Sequence, residues 1–247
     1  MSGIIQLTLV LLGVGLSLLP FFEFFRGTPH QMASVKQLEE SLPEELLDED
    51  AAWFQAWKES GYDQEVYMPY FKQLDNKTGT GYRECFSSAA AMVAAYYLKV
   101  ATDDEYNAIR AQFGDTTSVE AQLAALRSLG LDAEFRKDGD AEMVELEIES
   151  GRPVLVGWLH HGNMLRGEPP MCSGLGCGHW SVISGYAGKN SNDPEWIMQD
   201  PRGYPEMEKG GHSNPHLGRN VRVRQAAFHQ RWQSEGPGTG WVILVNE

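Results

Sequence analysis

The spacing of apolar positions changes character along the chain, and each change predicts a different element. Ile4 to Leu19 is dominated by apolar residues, and beyond Pro20 the run Phe21-Phe22-Glu23-Phe24-Phe25 extends it. As a helix rising ~1.5 Å per residue, this stretch approaches bilayer thickness. From Gly27 the chain turns polar and then acidic, ending in Glu44-Glu45-Leu46-Leu47-Asp48-Glu49-Asp50, the pattern of a solvated linker. Asp50 can cap a helix that carries Trp53 and Trp57 at i, i+4 and stops at Gly61.

Helical signals dominate the next hundred residues. The alanine-rich run from Cys85 to Lys99 predicts a helix with Met92, Val93 and Tyr96 on a buried face. Thr102-Asp103-Asp104-Glu105 and Thr117-Ser118-Val119-Glu120 fit capping boxes, with Gly114 and Gly130 as stops. Tyr106, Ile109 and Phe113, then Val119, Leu123 and Leu126, are the expected core positions. A further short helix is expected over Ala141 to Ser150.

After Pro153 the pattern becomes β. Val154 to Leu159, His179 to Tyr186, Trp196 to Gln199 and Trp241 to Val245 are rich in β-branched and aromatic residues, with Arg222 to Gln233 read as one more helix before the last strand. Helices first and strands second predict an α+β fold, with an N-terminal helical half and a C-terminal antiparallel sheet. Three segments follow: an apolar N-terminal segment (1–26), an acidic linker with the Trp-bearing helix (27–64), and a globular domain (65–247). The apolar segment can be read as a membrane anchor, a cleaved signal, or a helix buried in a partner assembly. Membrane contact through residues 4–25 and a membrane-associated or exported location are therefore expected, with sidedness open and a phage virion component among the readings.

Composition narrows the partners. A net charge of −14 over 247 residues argues against nucleic acid, whose phosphates are bound mainly by Lys and Arg. Three cysteines are too few for a disulfide framework, and they fall unevenly. Cys172 and Cys177 lie close together in a glycine-rich loop and can pair, whereas Cys85 stands alone.

Cys85 is the candidate nucleophile. At a helix start, free backbone N–H groups and the positive end of the macrodipole favour thiolate over thiol. Such a nucleophile needs a base and a group that orients the base. His179, which opens a strand after the loop 161–178, is the best placed histidine. His160, His161, His30, His212 and His216 are read as mostly solvated. Asp200, at the end of the next strand, is the candidate orienter. A hairpin turn centred between Lys189 and Asn190 would set it directly opposite His179.

Gln73-Leu74-Asp75-Asn76, Cys85 with Ala90-Ala91-Met92, Gly178-His179-Trp180-Ser181-Val182-Ile183-Ser184-Gly185-Tyr186, and Asp200-Pro201 with Gly203 together carry a resemblance. Over roughly residues 65–247 the chain resembles papain-like cysteine peptidases of the bacteriocin-processing, double-glycine leader peptidase type, closest to the stand-alone bacterial and phage members. The resemblance implies a papain-like fold, and no cofactor and no metal are expected. It also implies Gln73 as oxyanion donor, Cys85 as nucleophile, His179 as base and Asp200 as orienter. Two features depart from the pattern: Phe86 stands where a glycine usually follows the nucleophile, and the gap from Gln73 to Cys85 is long.

The expected activity is thiol-dependent hydrolysis of a peptide amide bond, with a peptide or peptidoglycan as substrate. The alternatives are a peptidoglycan stem-peptide amide hydrolase, and a non-catalytic peptide-binding or structural domain that keeps the fold. A separate reading makes Cys172, Cys177 and His179 ligands of a structural zinc.

Overall fold

The computed structural model describes residues 62–172 and 178–247. The apolar segment, the acidic linker, the Trp53/Trp57 helix and Cys177 lie outside the described residues. Among the described residues, no helix is long and apolar enough to cross a membrane.

In chain order the elements are β1 (Tyr62–Glu65), α1 (Cys85–Tyr96), α2 (Asp103–Arg110), α3 (Val119–Ser128), β2 (Asp132–Gly139), α4 (Ala141–Glu149), β3 (Val154–Trp158), β4 (His179–Ala187), β5 (Glu195–Gln199), β6 (Val221–Arg224), α5 (Gln225–Trp232) and β7 (Gly240–Asn246). Two short 3-10 turns, Gln73–Asp75 and Gly81–Arg83, lead into α1. The strands form one sheet in the order β2-β7-β3-β4-β5-β6, with every described pairing antiparallel. β1 pairs with β4 at Gly185–Ala187, on the edge opposite β5 and beyond the end of β3.

Helix α1 is the centre of this arrangement. Its predicted single buried face understates what the structure shows: every residue from Phe86 to Tyr96 is buried. A helix this apolar all round belongs inside a core, and α1 lies against β4 with α2 and α3 on its other sides. Phe86 stacks on Trp180 of β4 with ring centroids 3.9 Å apart and planes at 4°. Gly157 makes that stack fit. A Cβ there would lie 2.9 Å from the Trp180 ring, closer than real Cβ contacts allow.

Several local expectations need correction. Strand β2 sits among the helices, so the order is not simply helices then strands. It is an edge strand paired only with β7, and its charged, partly exposed residues hide the β pattern. Phe113 is exposed, because α2 ends at Arg110 and leaves Phe113 on the following turn. The second cap is Ser118 alone, accepting from the Ala121 N–H, while the Thr117 hydroxyl donates to Asp115. The expected helix from Arg222 begins instead at Gln225. Val221 and Val223 point inward and Arg222 and Arg224 outward, the period of two that makes β6.

Candidate active site

The site is assembled where the start of α1 meets the start of β4. Glu84, just before the helix, is a buried carboxylate that accepts from Asn76 Nδ2, Thr78 Oγ1 and Thr80 Oγ1, each at 2.7 Å. It thereby clasps the loop 76–80 against the first turn of α1. Gln73 is also buried. Its backbone N–H donates to the Pro201 carbonyl at 2.9 Å, which ties the first 3-10 turn to the residue after Asp200. One N–H of its side chain goes to the Gly81 carbonyl at 2.7 Å.

Cys85 is a free cysteine and its residue as a whole is half-buried. Burial of the thiol nevertheless pushes its pKa up to about 11, with the nearby Asp200 charge acting the same way. The Trp180 and Phe86 backbone N–H groups and the Arg202 charge oppose this without overcoming it. The expectation of a thiolate favoured by the helix start is therefore not met at rest, because desolvation outweighs the helix-end donors.

His179 and Asp200 are in contact. Both are buried, and the imidazole Nε2 lies 3.0 Å from Oδ1 and 2.9 Å from Oδ2 of the carboxylate. They are not directly opposite on the hairpin. Val182 pairs with Gln199 and Ala187 with Glu195, with a bulge between Ile183 and Gly185. This register carries Asp200 to the level of Ser181, whose hydroxyl donates to Oδ2 at 2.9 Å. Ser181 shares the His179 face of β4, so the histidine reaches the carboxylate diagonally. The turn is displaced because Pro194 has no N–H to offer a ladder, and β5 begins only after it.

The Asp200 backbone is fixed as firmly as its side chain. Its N–H donates to the Gly218 carbonyl at 2.7 Å, and its carbonyl accepts from the Tyr70 hydroxyl at 2.9 Å. Gly218 must be a glycine, since a Cβ would fall 2.1 Å from the Asp200 carbonyl oxygen. Oδ1 also accepts from the Arg202 backbone N–H at 2.9 Å. Burial pushes the carboxyl up, but the His179 and His212 charges and hydrogen bonds hold it below the usual carboxylate range. Burial lowers the His179 pKa to about 4 against the opposing pull of Asp200. At neutral pH the pair is therefore carboxylate and neutral imidazole.

Three further side chains support this arrangement, and the sequence assigns none of them to it. His212, expected in solvent, has a buried imidazole with Nε2 3.2 Å from Asp200 Oδ2. Trp158 donates from Nε1 to Ser181 Oγ at 3.0 Å and sets its ring edge-on to His179. Arg231, fully buried, donates to the carbonyls of Met207, Leu159, His161 and Gly162, binding the end of β3 to the loop that carries His212. Period two along β4 points to Ser181 once His179 is chosen, but nothing local marks His212 or Arg231.

Among the described residues, His179, Asp200 and His212 form the group whose donor atoms lie close enough together, within 4.8 Å, to share a cation. The Asp200 oxygens are already taken up by both imidazoles, Ser181 and a backbone N–H, which is the donor set of a hydrogen-bond network. The zinc reading built on Cys172 fails, because Cys172 is disulfide-bonded and offers no thiolate.

Residues 63–213 match the family model described as papain-like cysteine protease AvrRpt2. The chain belongs to this papain-like family. No curated protein sequence matches it. Among solved structures it is similar to a double glycine motif protease from an AMS/PCAT transporter in complex with the leader peptide, at 18% identity over 74% of this chain and 94% of that one, with a TM-score of 0.45. The peptidase domain of Streptococcus ComA, a bi-functional ABC transporter, matches at 17% identity over 73% and 97%, with a TM-score of 0.44. A C39-like peptidase from Bacillus anthracis matches at 13% over 75% and 98%, with a TM-score of 0.49. The α+β fold is papain-like, and the chain is a cysteine peptidase.

Proposed function

We propose that Cys85, His179 and Asp200 hydrolyse a peptide amide bond as nucleophile, base and orienting carboxylate, with Gln73 completing the oxyanion site. The observation that carries this reading is the buried His179–Asp200 pair at 2.9–3.0 Å, next to the start of the helix that bears the free cysteine. Because Nε2–H is donated to Asp200, Nδ1 keeps a lone pair for the thiol proton. The Trp180 backbone N–H interacts with the same sulfur and helps to hold it beside the histidine strand.

The chemistry follows from those roles. Cys85 Sγ gives its proton to His179 Nδ1 as it attacks the amide carbonyl carbon, and a C–S bond forms. The carbonyl oxygen becomes an oxyanion, stabilised by the Cys85 backbone N–H and by the second N–H of the Gln73 amide, whose first N–H goes to Gly81. As the C–N bond breaks, His179 returns the proton to the leaving amine. Water, deprotonated by the same nitrogen, then hydrolyses the thioester and restores the thiol. A protonated thiol at rest suits this sequence, since the proton leaves only as the base accepts it.

A match to a protease family does not favour the cell-wall amidase or the non-catalytic reading. The test is a thiol-directed epoxide combined with a peptide-library digest. Wild type should be labelled at Cys85 and should cut, and Cys85→Ala should do neither while staying folded. Residual hydrolysis above about a tenth of wild type in that variant would remove Cys85 as nucleophile.

A further inference from the structure

His212 is held in place by more than its own side chain. Its backbone bridges Pro205, and the neighbouring Gly211 and Ser213 donate to the carbonyls of His160 and Tyr204 at 2.6 and 2.9 Å. The imidazole is 3% exposed. Its ring centroid lies 4.4 Å from that of His179, 5.7 Å from His160 and 5.9 Å from Trp158. Nε2 contacts Asp200 Oδ2, and Nδ1 is buried with no hydrogen-bond partner. A loop histidine with no task would not be expected to bury an unpaired nitrogen, which costs on the order of 1–3 kcal/mol.

Asp200 is therefore shared. Oδ2 meets His179, His212 and Ser181, while Oδ1 meets His179 and the Arg202 N–H. We infer that His212 is a positioning residue of the peptidase site, fixing the Asp200 carboxylate by a second imidazole hydrogen bond and dividing its hydrogen-bonding capacity between two rings. The inference rests on the triad reading for its effect on turnover, but not for the geometry it asserts. The carboxylate cannot rotate away from His179 while His212 holds Oδ2. It also cannot give His179 its undivided charge, so His179 is a weaker base than it would be beside a private carboxylate. His212 lowers the His179 pKa in the same direction. The other titratable or charged groups around the pair are Cys85, Tyr70, His160, His161 and Arg202.

The test uses His212→Leu, which removes the hydrogen bond, and His212→Gln, whose Nε2 can take the place of the imidazole Nε2. The His179 ring is titrated by NMR in the Cys85→Ala background, which needs no substrate, and kcat and KM are measured on a cleaved peptide. In the leucine variant, His179 should titrate ~0.5–1 pH higher and kcat should fall ~10-fold or more at nearly constant KM. The glutamine variant should recover kcat to within about threefold of wild type. A folded leucine variant with unchanged titration and kcat overturns the proposal, as does a glutamine variant as impaired as the leucine one. If the leucine variant does not fold, the Cys85→Ala protein alone decides. It must show two low-field imidazole N–H protons, one from each ring, and a single one ends the proposal. A protein that cuts no peptide but shows the titration shift would break the functional reading and leave this one standing.

Discussion

Two buried carboxylates flank the site, and comparing them shows what makes such a group structural or chemical. Glu84 and Asp200 are each almost completely removed from solvent, and each is surrounded by donors. The donors of Glu84 are one amide and two hydroxyls from the loop 76–80. Those of Asp200 include two imidazoles, side chains that can pass a proton to or from a partner. The first carboxylate holds a loop against the start of α1. The second can alter the basicity of the His179 ring, the base of the proposed triad. Burial is common to both, so the identity of the partners sets the role.

Turnover should separate the two carboxylates most. His179→Ala should lower kcat by ~10²–10⁴, the range that general acid–base catalysis supplies. Asp200→Asn should lower it by less, because the amide oxygen can still accept from His179 Nε2. Glu84→Gln, measured in the same peptide assay, should leave kcat within a fewfold of wild type. A glutamine variant as inactive as the His179 one would show that Glu84 too is part of the chemistry.

Stability gives the next largest effect and should rank the two sites the other way. Glu84→Ala leaves the Asn76 amide and the Thr78 and Thr80 hydroxyls without their acceptor. It should cost about 3 kcal/mol or more in urea unfolding, given ~1–3 kcal/mol for a buried polar group left unpaired. An unchanged unfolding midpoint would mean that the loop 76–80 does not depend on this clasp.

The smallest effect is in the pH dependence of folding, where two groups act in opposite directions. The folded His179 pKa of about 4 lies below its ordinary value of 6.5, so between those values the unfolded chain binds the extra proton. Stability from this residue is present above pH 6.5 and is lost as pH falls towards 4. Burial raises Glu65 from 4.5 to about 7, although Arg219 opposes it, so over that window the folded chain binds the extra proton. Stability linked to Glu65 falls as pH rises. Glu65→Gln should therefore raise stability at pH 7 relative to pH 4.5 and leave a steeper acid-side loss. Denaturant midpoints at the two pH values check this, and an equal change at both would exclude the Glu65 linkage.

Those parts of the molecule whose physics is local are legible in the amino-acid sequence. The alanine run fixed α1, because helix propensity and apolar content act residue by residue, and Thr102 capped α2 as expected, accepting from the Glu105 N–H at 3.1 Å. The β-branched runs fixed β3, β4, β5 and β7, and residue type and neighbours single out Cys85, His179 and Asp200 as candidates. Tertiary structure alone decided the register that brings His179 diagonally onto Asp200, because a bulge and a displaced turn carry no strong local signature. It also decided the arrival of His212 from a loop rich in Gly, Asn and Pro, the Arg231 clasp behind it, and the protonated state of the Cys85 thiol. Desolvation and long-range hydrogen bonds depend on which groups the fold brings together, and no spacing along the chain encodes that distance.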